Sequence, residues 1–459
     1  MERAPDKSLN STFNGAIDTQ AAYRFFDHDQ VTDDALINAH QLPTIDRCED
    51  HDLLLLAQDT SELDFTSNST LKGAGIITQN QNSNRTGFFL HARYLLSGEH
   101  VPLGVWGMDF GVRDPKDRGQ AKARIKLPIE EKSSFRWLKG YREACELQAR
   151  FPDKQVVSLA DRESDIYEIY HEHFERSEVE KPAADFVVRA KENRRLLKNN
   201  PTTGKLEKAK TYLFDEDTNH APLGKITFDI PTQTKSYRPK GAKTNKSYLR
   251  KARTVTQEVK AFQVLMYPPY RYGKRLPPLR IWVVTAKEIN PPEGEPPIQW
   301  VLLTSIEIRT LEQAQKVIGH YLGRWQIEVF FRTLKTGCKI EKILLKKADA
   351  LRACIALYGI IAWRINYLTD HARMAGESCC SDYFSEEEWR STLLMSKTDG
   401  RDNEPISLKE FMTKVAVLGG YMNRKSDPPP GAQAIWQGLQ KVFHYAEIWR
   451  AIHNSQKNA

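Results

Sequence analysis

Tyr321, Arg324, Glu328 and Lys335 stand in the stretch YLGRWQIEVFFRTLK at successive spacings of three, four and seven. At about 100° per helical residue they fall within an arc of roughly 60°, so one helix face would carry a phenol, a guanidinium, a carboxylate and an amine. An ion pair between Arg324 and Glu328 explains two of the four. It leaves Tyr321 and Lys335 on the same stripe unexplained. Two more acids follow apolar runs, LLLLAQ before Asp59 and VVSLA before Asp161. In open α/β sheets ligands gather outside the carboxyl ends of strands. Taken singly, each Asp reads better as a turn or cap residue. Three carboxylates without a Cys or imidazole cluster suit hard cations that take oxygen ligands, Mg2+ or Mn2+. Two such ions form a phosphoryl-transfer clamp, and the positive groups beside Glu328 would hold phosphates.

The elements needed to position these residues can be read from pattern. The runs at 53–58, 73–78, 87–96, 101–110 and 155–160 read as strands, and 129–150 and 164–175 as helices. Strands followed by a strand between helices make a mixed α/β sheet. From about 185 to 305 short strands dominate: DFVVRA, YLFDE, KITFDI, VKAFQVLMY, RIWVVTA and QWVLLTS, a β-rich insertion. Helical periodicity returns as one helix at 311–336, with Val317, Ile318, Leu322, Trp325 and Val329 forming a packed apolar face, and again at 349–372. Beyond about 375 the chain reads as helices and loops, with DPPPG before the last helix.

Length and composition narrow the classes. At about 150 residues per domain, 459 residues imply roughly three domains. No apolar run reaches the roughly 18 residues of a membrane helix, so no membrane partner is expected. MERAPDKSLNSTFNG lacks an apolar signal region, so a cytoplasmic protein is expected. Six scattered cysteines offer no zinc spacing, and Cys379–Cys380 reads as two free thiols. The net charge of +8 is mild for this length, but residues 234–253 hold eight Lys/Arg and no acid, with Tyr237 and Tyr248 interleaved. That pattern suits phosphate contact with stacking, against the plainer reading of a solvated loop. His171 and His173 in HEHFE do not make the zincin pattern and read as surface histidines. KGAG has no P-loop continuation, and the hydroxyl after Asp59 has no Ser–His–acid spacing that supports a hydrolase.

With these residues in place the chain resembles the bacterial DDE transposases of the cut-and-paste insertion-sequence group that carry a Tyr-Arg-Glu-Lys signature. The signature Y-x2-R-x3-E-x6-K is met by Tyr321, Arg324, Glu328 and Lys335, and the family's two Asp match AQDTSELDFT at Asp59 and LADRESDIYE at Asp161. Trp300, after the Pro-rich stretch EINPPEGEPPIQW, matches an aromatic that stacks on a flipped base, and Arg189 in DFVVRAK matches a basic position near that nucleotide. The resemblance runs from about Ala21 to the end of the sequence. It implies a ribonuclease-H-like mixed sheet carrying Asp59, Asp161 and Glu328 as ligands of two Mg2+ ions, with Mn2+ as a substitute. Tyr321, Arg324 and Lys335 would hold a phosphate. The implied reaction nicks transposon ends, closes a hairpin, reopens it and joins the 3′-hydroxyl to target DNA, on double-stranded DNA and within a homodimeric synaptic complex. A bacterial, nucleoid-associated location goes with it.

The expected divisions are 1–50 as the remnant of an N-terminal helical module that reads transposon ends, 51–375 as the catalytic core with its insertion, and 376–459 as a helical dimerisation domain. Because AAYRFF stands at residue 21, most of the N-terminal module is expected to be missing. That raises the alternative of an inhibitor acting through dimerisation without catalysis. A metal-dependent nuclease on the same fold, which cuts DNA but never joins it, is a third reading.

Overall fold

The computed structural model describes residues 1–7, 9–13, 15–80, 83–112, 127–237, 246–271, 274–396 and 404–457. Residues 238–245 of the basic run lie outside them. In chain order the elements are α1 (Leu9–Thr12), α2 (Ala16–Phe26), α3 (Asp33–Cys48), β1 (Leu53–Asp64), β2 (Gly75–Asn80), β3 (Ser83–Ser97), β4 (Pro102–Gly111), α4 (Phe135–Arg150), β5 (Gln155–Ala160), α5 (Tyr167–Glu178) and β6 (Asp185–Arg189). The β-rich stretch adds β7 (Arg195–Asn199), β8 (Leu206–Tyr212), β9 (Gly224–Ile230), β10 (Gln233–Tyr237), β11 (Lys246–Arg250), β12 (Arg253–Met266), β13 (Tyr270–Arg271), β14 (Lys274–Arg275), β15 (Leu279–Glu288) and β16 (Gln299–Thr304). Then come α6 (Leu311–Gly323), α7 (Trp325–Arg332), α8 (Ala348–Met374), α9 (Glu386–Met395), α10 (Leu408–Leu418) and α11 (Ala432–Lys457). They form two compact units, residues 1–122 with 323–459, and residues 123–322.

In the first unit β3 lies between antiparallel β1 and β4, and β2 pairs with its N-terminal half. Leu54, Leu55, Leu56 and Ala57 are wholly buried, as a strand covered on both faces requires. The sequence placed Asp59 at the end of this strand. Instead β1 continues to Asp64, because β3 supplies ladder partners out to Gly87. Asp59 marks the point where burial stops, not where the strand stops. The 27-residue α8 is buried along much of its length, and its Trp363 Nε1 donates to the Pro102 carbonyl at 3.0 Å. α3 starts where the Thr32 side chain accepts from the Ala35 amide, with Asp33 and Asp34 complementing the helix dipole. Ser385 and Glu388 form a capping box at α9, and Ser407 caps α10.

The second unit is built on a mixed sheet with strand order β5-β6-β16-β15-β12-β7-β8. β5 and β6 run parallel and the remaining neighbours antiparallel, with β9 also pairing with β12. YLFDE is not a strand. Tyr212 closes β8, and Glu216–Asn219 forms a 3-10 turn in which the Glu216 carboxylate accepts from the Thr211 hydroxyl. His173 is half-buried, not a freely exposed surface histidine. Its Nδ1 lies 3.0 Å from the Tyr141 hydroxyl and 3.1 Å from the Ala184 carbonyl, and burial lowers its pKa. All six cysteines are free thiols, Cys379 and Cys380 included. Among the described residues no helix is long and apolar enough to cross a membrane.

The packing of α3 makes a pH prediction. The His40 ring stands 4.6 Å from Trp363, and its Nε2 accepts from the Val105 amide at 3.2 Å. Burial first, and the Arg47 charge second, push His40 down to about 4. Unfolded, it titrates near 6.5. Its folded pKa is depressed, so the unfolded chain binds the extra proton between these values. The stability is present above about pH 6.5 and is lost as pH falls toward about 4, by roughly 3 kcal/mol. Urea melts at pH 7 and pH 4 should show a smaller acid loss for His40→Gln than for the wild type. Equal losses would assign the acid sensitivity to other groups.

Candidate active site

Asp59 on β1 and Glu328 on α7, far apart in sequence, are joined in the first unit by one guanidinium. Arg324 Nη1 donates to Asp59 Oδ2 at 2.9 Å, and Nη2 donates to Glu328 Oε1 at 2.5 Å. The three side chains are 12%, 20% and 35% exposed for Arg324, Asp59 and Glu328, so the bridge lines a surface without being sealed in the core. The second Asp59 oxygen accepts from the Thr60 amide at 2.7 Å. Thr60 points to the opposite face of the strand, as successive strand residues do. Its hydroxyl lies 2.9 Å from Nδ1 of His91, which is 2% exposed, so this Thr–His pair is not an accessible hydrolase dyad.

The continuous helix expected over 311–336 is interrupted. α6 ends at Gly323, Arg324 occupies a turn before α7, and Thr333–Gly337 forms a π-helical turn. A Cβ on Gly323 would lie 2.6 Å from the His100 ring, so only glycine permits that approach. Part of the expected apolar face is also overturned. Val317 and Ile318 are buried, but Leu322, at the edge of the same helix, is 50% exposed, and Trp325, beyond the turn, is 60% exposed. Lys335 sits in the π-turn, a feature frequent at functional sites. It donates to the Glu62 carbonyl at 2.8 Å and pairs with Glu341 at 3.3 Å. Glu341 also accepts from the Asp64 amide. No spacing in the sequence points to Glu341, since its connection to Lys335 and β1 exists only in space.

In the second unit Asp161 directly follows β5, as its sequence implied. There it also serves as a cap, accepting from the Glu163 amide at 2.8 Å. Trp300 on β16 stands edge-on to Tyr321, with ring centroids 5.9 Å apart. The Pro-rich connection before it is closed by Glu288, whose carboxylate accepts from the Ile298 amide and from both Arg253 Nη groups. Burial alone would raise the Glu288 pKa. The bonds from Arg253 and Ile298, with the Arg253 charge, hold it below the usual range. Arg250 and Arg253, both part of the basic run, are thus matched by Glu295 and Glu288. Arg189 Nη2 donates to the Gln299 carbonyl at 3.3 Å, beside Trp300 in sequence. Among the described residues no three His, Cys, Asp or Glu side chains are gathered as a metal-holding group.

Known families account for much of this chain. Residues 135–364 match the model of the transposase DDE domain, a span of half the sequence that includes Asp161 and Glu328. The chain belongs to the DDE transposase family. Residues 1–31 match a transposase DNA-binding model, and residues 360–457 match the Tn5 transposase dimerisation domain. The protein is therefore a DNA transposase with DNA-binding and dimerisation segments, on a ribonuclease-H-like mixed α/β fold. Asp59 precedes the DDE match, so its candidacy stands on the Arg324 bridge.

That bridge should be measurable. A double-mutant cycle on Asp59→Asn and Arg324→Gln, read by denaturant melts, should give a coupling of about 1 kcal/mol. The partly exposed setting keeps it below the roughly 3–5 kcal/mol of breaking a fully buried pair. Zero coupling would mean that the two side chains act independently.

Proposed function

We propose that this transposase cleaves transposon ends through a hairpin intermediate, in a divalent-metal-dependent reaction, and joins the freed 3′-hydroxyl to target DNA as a homodimer. The observation that carries the reading is Arg324 held between Asp59 and Glu328, which gathers the first and last acids of the proposed set with a phosphate-binding cation. The donor chemistry fits Mg2+ or Mn2+: Asp59, Asp161 and Glu328 offer only carboxylate oxygens. The guanidinium between two of them stands in for a cation that their charges attract.

Bound there, the two ions would supply the in-line displacement chemistry, activating the attacking oxygen and stabilising the leaving one. The rest falls to side chains. Arg324 and Lys335 hold the non-bridging oxygens of the scissile phosphate, with Tyr321 as a hydroxyl donor. In the first step a water oxygen bonds to phosphorus as the 3′-oxygen of one strand leaves. The new 3′-hydroxyl then attacks a phosphorus of the opposite strand and the 3′-oxygen of the flanking DNA leaves, which closes the hairpin on the transposon end. Tight closure needs an extruded base, and extrusion costs a few kcal/mol that stacking on Trp300 partly offsets. Arg189 would steady the extruded nucleotide. The dimerisation match at 360–457 supports pairing of two ends.

Asp59→Ala, Asp161→Ala and Glu328→Ala should each abolish Mg2+-dependent cleavage of transposon-end DNA while keeping a cooperative thermal melt. Cleavage that survives in any of them overturns its catalytic assignment. Trp300→Ala should spare the first nick and reduce the hairpin band on denaturing gels by about tenfold, the effect of roughly 1.4 kcal/mol lost from stacking. An unchanged band would remove Trp300 from the closing step.

A further inference from the structure

Several arginines described in the second unit are matched by acids. Arg194 pairs with the buried Asp165, Arg142 and Arg176 share Glu172, and Arg253 pairs with Glu288. The strands β7, β8 and β14 break this habit. Arg195 lies over the Tyr212 ring at 5.1 Å and donates to its hydroxyl. Arg275 lies over Tyr267 at 4.8 Å and donates to its hydroxyl, and Lys208 approaches the same ring at 5.0 Å. All three cations are exposed, and among the described residues none forms a salt bridge with a carboxylate. Strand pairing gathers them. Arg195 is opposite Tyr212, Leu197 is opposite Lys208, and the Tyr267 amide donates to the Arg195 carbonyl. Arg195, Tyr267 and Arg275 also line a cleft of about 550 Å3.

From this grouping we propose that the Arg195–Lys208–Arg275 face binds the phosphate backbone of target DNA. A cation seated on a tyrosine is pre-oriented yet keeps its full charge, whereas one paired with a carboxylate is neutralised before any phosphate arrives. Arg195 and Arg275 each spend a donor on a tyrosine hydroxyl, and a guanidinium has five. The face offers charge and aromatic surface, the two features that bind nucleic acid without regard to sequence. Asn193, the amide at the cleft, already gives its side-chain oxygen to the Phe214 amide. A transposon end must be told apart by its bases, while a target is taken by its backbone. The face therefore suits the target. The proposal rests on the DNA-joining reading only for naming the target, and binding without metal tests it apart from catalysis.

The experiment uses the full chain without divalent metal, in the wild type and in Arg195→Gln/Lys208→Gln/Arg275→Gln. One probe is an unselected random-sequence duplex. The other is the tightest-binding duplex that the wild type isolates from that pool. With the random duplex, the slope of log affinity against log salt should fall by about 0.9 for each phosphate that the variant no longer neutralises. Binding to the selected duplex should retain its preference over random sequence. An unchanged slope on the random duplex would show that the face is merely solvated, and loss of the preference would give it to end recognition. Either result overturns the proposal. Arg195→Lys/Arg275→Lys should keep the slope, and equal melting temperatures keep a fold defect from mimicking the effect. If instead the acid-to-Ala variants still cleave, the catalytic reading fails while this surface stands.

Discussion

The first unit depends at its functional surface on holding two like charges close together without burying either. Asp59 and Glu328 repel, and a surface at their exposure is too poorly hydrated to screen them fully. Arg324 resolves this by offering two N–H groups of one rigid, planar fork, one to each carboxylate. A lysine could not span both with the same geometry. Arg324 sits in the turn between α6 and α7, where Gly323 gives way against His100.

Around that bridge the scaffold is rigid where the acids need support. Asp59 stands at the edge of four fully buried residues of β1, and β3 extends the ladder past it, so its carboxylate cannot drift with a loop. Glu328 is backed by Phe330, whose ring stacks on Tyr94 at 4.8 Å. Lys335 is tied to a β1 carbonyl and to Glu341, which restrains the π-turn that carries it. In the second unit the same logic uses different groups, with Glu288 closing the Pro-rich connection ahead of Trp300 and Tyr321 meeting the indole edge. Charge pairing does structural service there, and cations left on tyrosines stand out against it.

Much of the fold was legible because its signals are local. Apolar runs gave β1, β5 and β15, unbroken helical periodicity gave α8, and residues 185–305 are as rich in strands as their texture announced. The departures have physical causes. YLFDE has strand composition, but the chain turns after Tyr212, where the Phe214 amide bonds to the Asn193 side chain from a distant part of the sequence. The straight helix over 311–336 does not form: the chain turns at Arg324, next to Gly323, whose close approach to His100, far away in sequence, no periodicity reveals. The contacts of His173 with Tyr141 and Ala184 are ones that periodicity does not reveal.

The sequence alone determined the chemistry on offer: acids without soft ligands, a stripe of Tyr, Arg and Lys around Glu328, and the motifs that mark a DDE transposase. Residue types and short spacings carry that information because they reflect what each side chain can do. Only the tertiary structure decided how the charges are matched. It gave Arg324 to two acids instead of one, bound Lys335 to β1, neutralised Arg250 and Arg253, and left Arg195, Lys208 and Arg275 on aromatic rings. Electrostatic partners are chosen by distance in space, and a chain pattern fixes distance only over the few residues of one turn or one strand.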